Sequence, residues 1–153
     1  MKKLFVFVLA AGYCIAGIAH EPYVPWVDSK SGKLECKRVN IGITNARIIL
    51  ENGEKIILPV DEISSYSLND KVFTKLPLFK NGQPTGKKAF MELVKTRDGL
   101  SFYRYSIYDT ESNHPGDLVY RYYVYRGTKL FLELNNVSLP NVCRFFNLEY
   151  KEI

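Results

Sequence analysis

Residues 118–125 read Leu118-Val119-Tyr120-Arg121-Tyr122-Tyr123-Val124-Tyr125, and this stretch decides the fold. Strand side chains alternate between two faces. Leu118, Tyr120, Tyr122 and Val124 therefore share one face, and Val119, Arg121, Tyr123 and Tyr125 the other. Both faces carry apolar or aromatic groups, which a sheet with one wet side does not need. The run predicts a strand covered on both sides, within a mainly β domain built as a small antiparallel sandwich or barrel-like fold.

The flanking sequence extends this reading. Ala89–Lys95 and Leu100–Tyr108 precede the run, joined through Thr96-Arg97-Asp98-Gly99, and Lys129–Leu134 follows it after Arg126-Gly127-Thr128. Short connections place consecutive strands side by side, so these four form an antiparallel meander. Upstream, residues 46–51 and 54–58 flank Asn52-Gly53, a strong hairpin signal because both turn positions of the tightest hairpin need positive φ. Pro59 stops the second strand by withholding a ladder donor. Val60–Leu68 and Val72–Lys75 are shorter strand candidates. The proline-, glycine- and lysine-rich residues 76–88 read as an exposed loop. Leu139–Phe146 reads as a short helix behind Ser138 as a cap.

The first nineteen residues, MKKLFVFVLAAGYCIAGIA, have the make-up of an export signal. Lys2 and Lys3 give a cationic start, Leu4–Gly17 is too short to span a bilayer, and Gly17-Ile18-Ala19 supplies small residues for cleavage. The division expected is 1–19 as signal peptide, 20–45 as an N-terminal arm with the first elements, and 46–153 as one β-rich domain. Residues 20–33 are rich in Pro, Ser and Gly and read as an extended arm, tacked down by Trp26, the single tryptophan. Removing 19 of 153 residues leaves 134, enough for one core. The 21 basic side chains less Lys2 and Lys3 leave 19 against 16 acidic. That mild excess, in an exported periplasmic or secreted protein, argues against nucleic acid and for solubility near envelope material. No transmembrane span remains after signal removal, and the strands lack the lipid-facing band of an outer-membrane barrel.

Cys14 leaves with the signal, so Cys36 and Cys143 remain. In an oxidising compartment such a pair is expected as a disulfide, or else as two inert buried thiols. A bridge closing a loop of this order contributes about 4.7 kcal/mol by chain entropy. Neither cysteine has a CxxC spacing or a neighbouring histidine, which removes thiol chemistry and a zinc pair.

The partner-binding candidates are Tyr103, Tyr105, Tyr120, Arg121, Tyr122, Tyr123 and Tyr125. Aromatics beside guanidinium groups on a rigid sheet stack on sugar rings or anchor a protein; equally, tyrosine packs well across strands. Alternation sends at most half of them to any one ligand. No catalytic residue is assigned: there is no GxSxG, Asp61 and Glu62 point apart on a strand, and Gly82–Lys88 departs from a phosphate loop in glycine spacing. No cofactor is expected. The alternative is a copper protein, in which cleavage before His20 exposes an amine and imidazole that combine with His114, the other histidine. Residues 109–117 alternate oxygen side chains as calcium loops do, but lack the glycine and bidentate glutamate of an EF-hand.

The succession LENGEKIILPVDEISSYSLNDKVF, KKAFMELV, GLSFYRYSIYD and RYYVYRGTKLFLEL resembles a family of small exported Bacteroidetes proteins with no assigned activity. The resemblance spans residues 46–134. It implies an envelope location and a mainly β fold, and no site residues. Together these readings point to a non-enzymatic envelope protein that binds a protein or glycan through a tyrosine-rich sheet face.

Overall fold

A computed structural model describes residues 23–108 and 118–150. The signal segment, His20 and His114 fall outside the described residues, and so does the calcium-like loop. Among the described residues, eleven strands form two antiparallel sheets. They are β1 (Trp26–Ser29), β2 (Gly32–Glu35), β3 (Arg38–Ile41), β4 (Asn45–Ile49), β5 (Lys55–Pro59), β6 (Ile63–Leu68), β7 (Lys71–Lys80), β8 (Gln83–Arg97), β9 (Leu100–Tyr108), β10 (Leu118–Arg126) and β11 (Lys129–Glu133). One helix, α1 (Leu139–Phe146), follows. The large sheet runs β11-β10-β9-β8-β7-β6-β1-β2 and is not closed; β3-β4-β5 form the small one. The architecture is sandwich-like, as the two-sided apolar pattern predicts, and the expected meander is β8 to β11.

One face of the large sheet is covered twice. At the β1–β6 end the small sheet packs Val39, Ala46 and Ile48 against Val27, Ile63 and Tyr66. At the other end α1 packs Leu139, Cys143 and Phe146 against Phe102 and Val124. The helix starts at the expected place, but Ser138 makes no side-chain cap. Asn135 Oδ1 instead accepts from the backbone N–H groups of Val137 and Ser138, at 3.0 and 2.9 Å. Asn147 ends the helix in the left-handed conformation (φ 54), and Arg97 donates to the Phe145 carbonyl.

The opposite face is covered by the sheet itself. Residues 76–88 are not a loop: β7 and β8 continue through them, joined at Asn81-Gly82, both at positive φ as a tight hairpin turn requires. A register shift between Pro77 and Phe79 bends β7. Tyr123 and Tyr125 donate hydroxyl hydrogen bonds to the Phe79 and Pro77 carbonyls, the first at 3.0 Å. Leu76, Met91, Tyr103, Tyr123 and Tyr125 form the third buried cluster beneath this turn-back. The prolines and lysines hid two strands whose apolar residues line up only once folded.

Two further expectations change. Residues 26–33 are not a trailing arm, because β1 and β2 pair as a hairpin and β1 extends the large sheet alongside β6. Trp26 is tied there by its N–H to Ser67 Oγ, and its ring lies under the Lys33 ammonium. The β4–β5 hairpin forms in the expected place, yet of its turn pair only Gly53 takes positive φ. Asn52 instead accepts the Glu54 N–H through its side chain, at 2.9 Å.

Candidate aromatic and charged site on the large sheet

The strand register sorts the tyrosines. Tyr122 lies opposite Arg104, Tyr123 opposite Tyr103, and Arg121 opposite Tyr105. Tyr103, Tyr123 and Tyr125 belong to the buried cluster, with Tyr123 and Tyr125 fully enclosed. Burial pushes the hydroxyls of both upward, with neighbouring tyrosine and Glu133 charge adding to it. Arg121 works against that shift at Tyr123 through a hydrogen bond and its charge. These three tyrosines are core, and their polar ends serve the β7 turn-back. Tyr105 and Arg121 lie half-buried on the same face.

Tyr120 and Tyr122 are on the other face, where Tyr122 packs against the cluster beneath α1. Here Phe73 on β7, Glu92 on β8, Arg104 on β9 and Tyr122 on β10 stand in register across four strands, with Lys71 and Tyr120 as diagonal neighbours of Glu92 and Arg104. Glu92 Oε1 meets Lys71 Nζ at 3.1 Å and Arg104 Nη2 at 2.9 Å, and Oε2 accepts from the same nitrogen at 3.0 Å. Glu92 and Arg104 side chains are both 17% exposed. A carboxylate so enclosed needs both cations, and each cation is held in turn. Arg104 Nε is buried without a hydrogen-bond partner among the described residues.

The guanidinium also lies over the Tyr120 ring, 5.0 Å from its centre. Tyr120 keeps 41% of its surface exposed. Behind it, Tyr122 stacks on Phe102 at 5.8 Å. Burial raises the Tyr122 hydroxyl, with the Arg104 charge opposing. The result is an outward aromatic ring backed by a fixed cation.

Tyr120 and Tyr122 were legible in the sequence, but their partners were not. Glu92 sits between Phe90 and Val94, a carboxylate at a position whose i±2 strand neighbours are apolar. That was the available signal. Among the described residues no three His, Cys, Asp or Glu side chains are grouped to hold a metal.

The expected Cys36–Cys143 bridge is not formed: both are free, buried thiols. Cys36 lies in the cluster under the small sheet and Cys143 in the cluster under α1. Cys36 is anchored beside β1, its N–H bonded to the Pro25 carbonyl. The two thiols therefore belong to separate buried clusters, one under each of the two covers of the large sheet. A disulfide tolerates a Cα separation of only about 7 Å. Burial pushes both thiols above their ordinary range; the inert-thiol alternative describes them.

No family model, no curated protein and no solved structure matches this chain.

Proposed function

We propose that the chain is an exported envelope protein of non-enzymatic type, which binds a protein or glycan partner through the β9–β10 face that carries Tyr120. The observation that carries the reading is the exposed Tyr120 ring with Arg104 fixed behind it by Glu92. An immobile aromatic surface loses little conformational freedom on binding, and tyrosine and arginine recur where binding energy concentrates. The export half of the proposal is supported by the sequence alone: Lys2-Lys3, the apolar run Leu4–Gly17, and the small residues before His20. A cleaved chain starting at His20, seen by intact mass, tests it.

Recognition is tested by presenting immobilised protein with envelope glycans and with envelope protein fractions. Tyr120→Ala is compared with Tyr105→Ala, which alters the opposite face. Retention should fall at least about tenfold for Tyr120→Ala, the 1.4 kcal/mol scale of a modest anchor, with the thermal midpoint unchanged. Equal loss in both variants, or retention indifferent to Tyr120, removes the site.

A further inference from the structure

We infer that the outer edge of β11 is a docking site for an extended peptide with an apolar residue flanked by carboxylates. The reading is independent of the Tyr120 site and rests on different elements. β11 ends the large sheet, and among the described residues no strand pairs with its outer edge. A groove of about 510 Å³ runs along it, lined by Leu130–Asn135 and by Asn81 and Gly82 at the tip of the β7–β8 hairpin. The tip is held in place by the Gly82 N–H, which donates to Glu133 Oε2 at 2.7 Å. An unpaired strand in a groove offers main-chain donors and acceptors to an incoming strand.

A second cleft, of about 310 Å³, opens on the α1 side of the same strand. Its apolar walls are Leu100, Val124, Phe131, Leu132, Val142 and Phe145. Phe131 is 57% exposed and Phe145 41%. The register between β10 and β11 shifts between Val124 and Tyr125, leaving Phe131 as the extra residue of a bulge. The bulge lets the consecutive residues Phe131 and Leu132 both face the cleft while Leu130 stays with the cluster beneath the hairpin. It also breaks the ladder, which discourages open-ended sheet growth and limits what can add here to a short segment.

Charge selects among short segments. Arg126 lies over the Phe131 ring at 5.6 Å, and Arg97 over the Phe145 ring at 5.1 Å. Lys129 at the start of β11 and Arg144 in the last turn of α1 add basic residues to the same two elements. The opposing carboxylates are Asp98, 3.5 Å from Arg97, and Glu133, which is bonded to the hairpin tip. Two guanidinium groups set on the rings of an apolar cleft fit a peptide whose ends are acidic and whose centre is apolar.

The test uses the purified protein and the synthetic peptide acetyl-Glu-Val-Phe-Val-Glu-amide, read by isothermal titration and by chemical-shift changes. Three comparisons accompany it: the same peptide with lysine for both glutamates, the same peptide N-methylated at both valines, and the protein carrying Phe131→Ser or Arg126→Glu. The acidic peptide should bind with shifts confined to β11, α1 and the hairpin tip. The lysine and N-methyl peptides should bind at least about tenfold more weakly, and both protein variants should lose affinity while keeping the native near-UV spectrum. Absence of binding at millimolar peptide overturns the inference. Equal affinity for the lysine or N-methyl peptide does so too, because charge or strand addition then plays no part. Sedimentation showing a dimer dissolved by Phe131→Ser assigns the edge to a second copy instead. Every one of these outcomes leaves the Tyr120 proposal standing or falling on its own test.

Discussion

Removing the hydroxyls of Tyr123 and Tyr125 should loosen the β7–β8 hairpin before it loosens the rest of the sheet. Both rings are enclosed, and both hydroxyls reach across to main-chain carbonyls forty-odd residues away, at Phe79 and Pro77. Tyr→Phe keeps the ring and its apolar contacts, so the change isolates the hydrogen bond. A buried hydrogen bond contributes about 1 kcal/mol net, and a carbonyl left without its partner costs about 1–3 kcal/mol. The affected carbonyls lie at the bend of β7, where water gains access once the turn-back opens, so the lower half of that range applies. Each single variant should cost about 1–2 kcal/mol. The pair should depart from additivity, because the rings are 6.3 Å apart and fasten one bent segment.

Urea unfolding measures the global loss, and amide hydrogen exchange locates it. Exchange of residues 79–85 in the double variant should quicken by about 30-fold if 2 kcal/mol is lost locally. Amides of β9, between β8 and β10, should follow only the smaller global change. A double variant within 0.5 kcal/mol of the parent, with unaltered exchange at the hairpin, would show that the tyrosine hydroxyls do not hold the turn-back.

Three further outcomes are expected. Glu92→Ala strands Arg104, whose Nε already has no hydrogen-bond partner among the described residues; losing one member of an enclosed pair costs about 3–5 kcal/mol, reduced here to about 1–3 by the exposure both groups keep. Restoring stability by adding Arg104→Met, in a double-mutant cycle by urea unfolding, checks the cause. Stability should hold from neutral pH to about pH 9 and then fall, as followed by thermal midpoint. Cys36, Cys143, Tyr66, Tyr122, Tyr123 and Tyr125 all hold their protons more tightly when folded. The unfolded chain therefore ionises first and is favoured as pH rises from the ordinary thiol and phenol values toward the raised folded ones. Lys75, pushed down by burial, acts in the opposite sense and only softens the decline. Finally, Cys36 and Cys143 should resist a thiol reagent until the protein is denatured, and reduction should leave the intact mass unchanged; a two-hydrogen gain on reduction would contradict the separation of the two clusters.

How much of this was legible in the sequence varies by element. The β9–β10–β11 strands and the face assignments of residues 118–125 followed from period-two alternation, since a strand covered on both sides must be apolar on both. The 76–88 segment was misread for a physical reason. Pro77 sits at a bulge and Pro84 lies opposite Phe79 in the bent part of the hairpin, where a missing donor costs little. Its lysines gave a loop-like composition, while the tyrosines that bind the segment lie more than forty residues along the chain. The site divides similarly. Alternation separated Tyr120 and Tyr122 from Tyr123 and Tyr125, but not which face would be covered by what. That depended on the turn-back and on α1, neither of which has a local signal for its docking partner. The cysteines show the same limit: pairing by elimination ignores which buried cluster each one joins.

The central claim is that the tyrosines divide into a buried set and an exposed recognition surface. Nitration with tetranitromethane, followed by peptide mass spectrometry against time, tests it directly. Tyr120 should be modified early, together with the exposed Tyr23 and Tyr150, while Tyr103, Tyr123 and Tyr125 should stay unmodified until the protein unfolds. If the proposed binding test yields a partner, adding it should protect Tyr120 and leave Tyr23 reactive. Early nitration of Tyr123 or Tyr125, or a Tyr120 that reacts equally with and without the bound partner, would contradict the account.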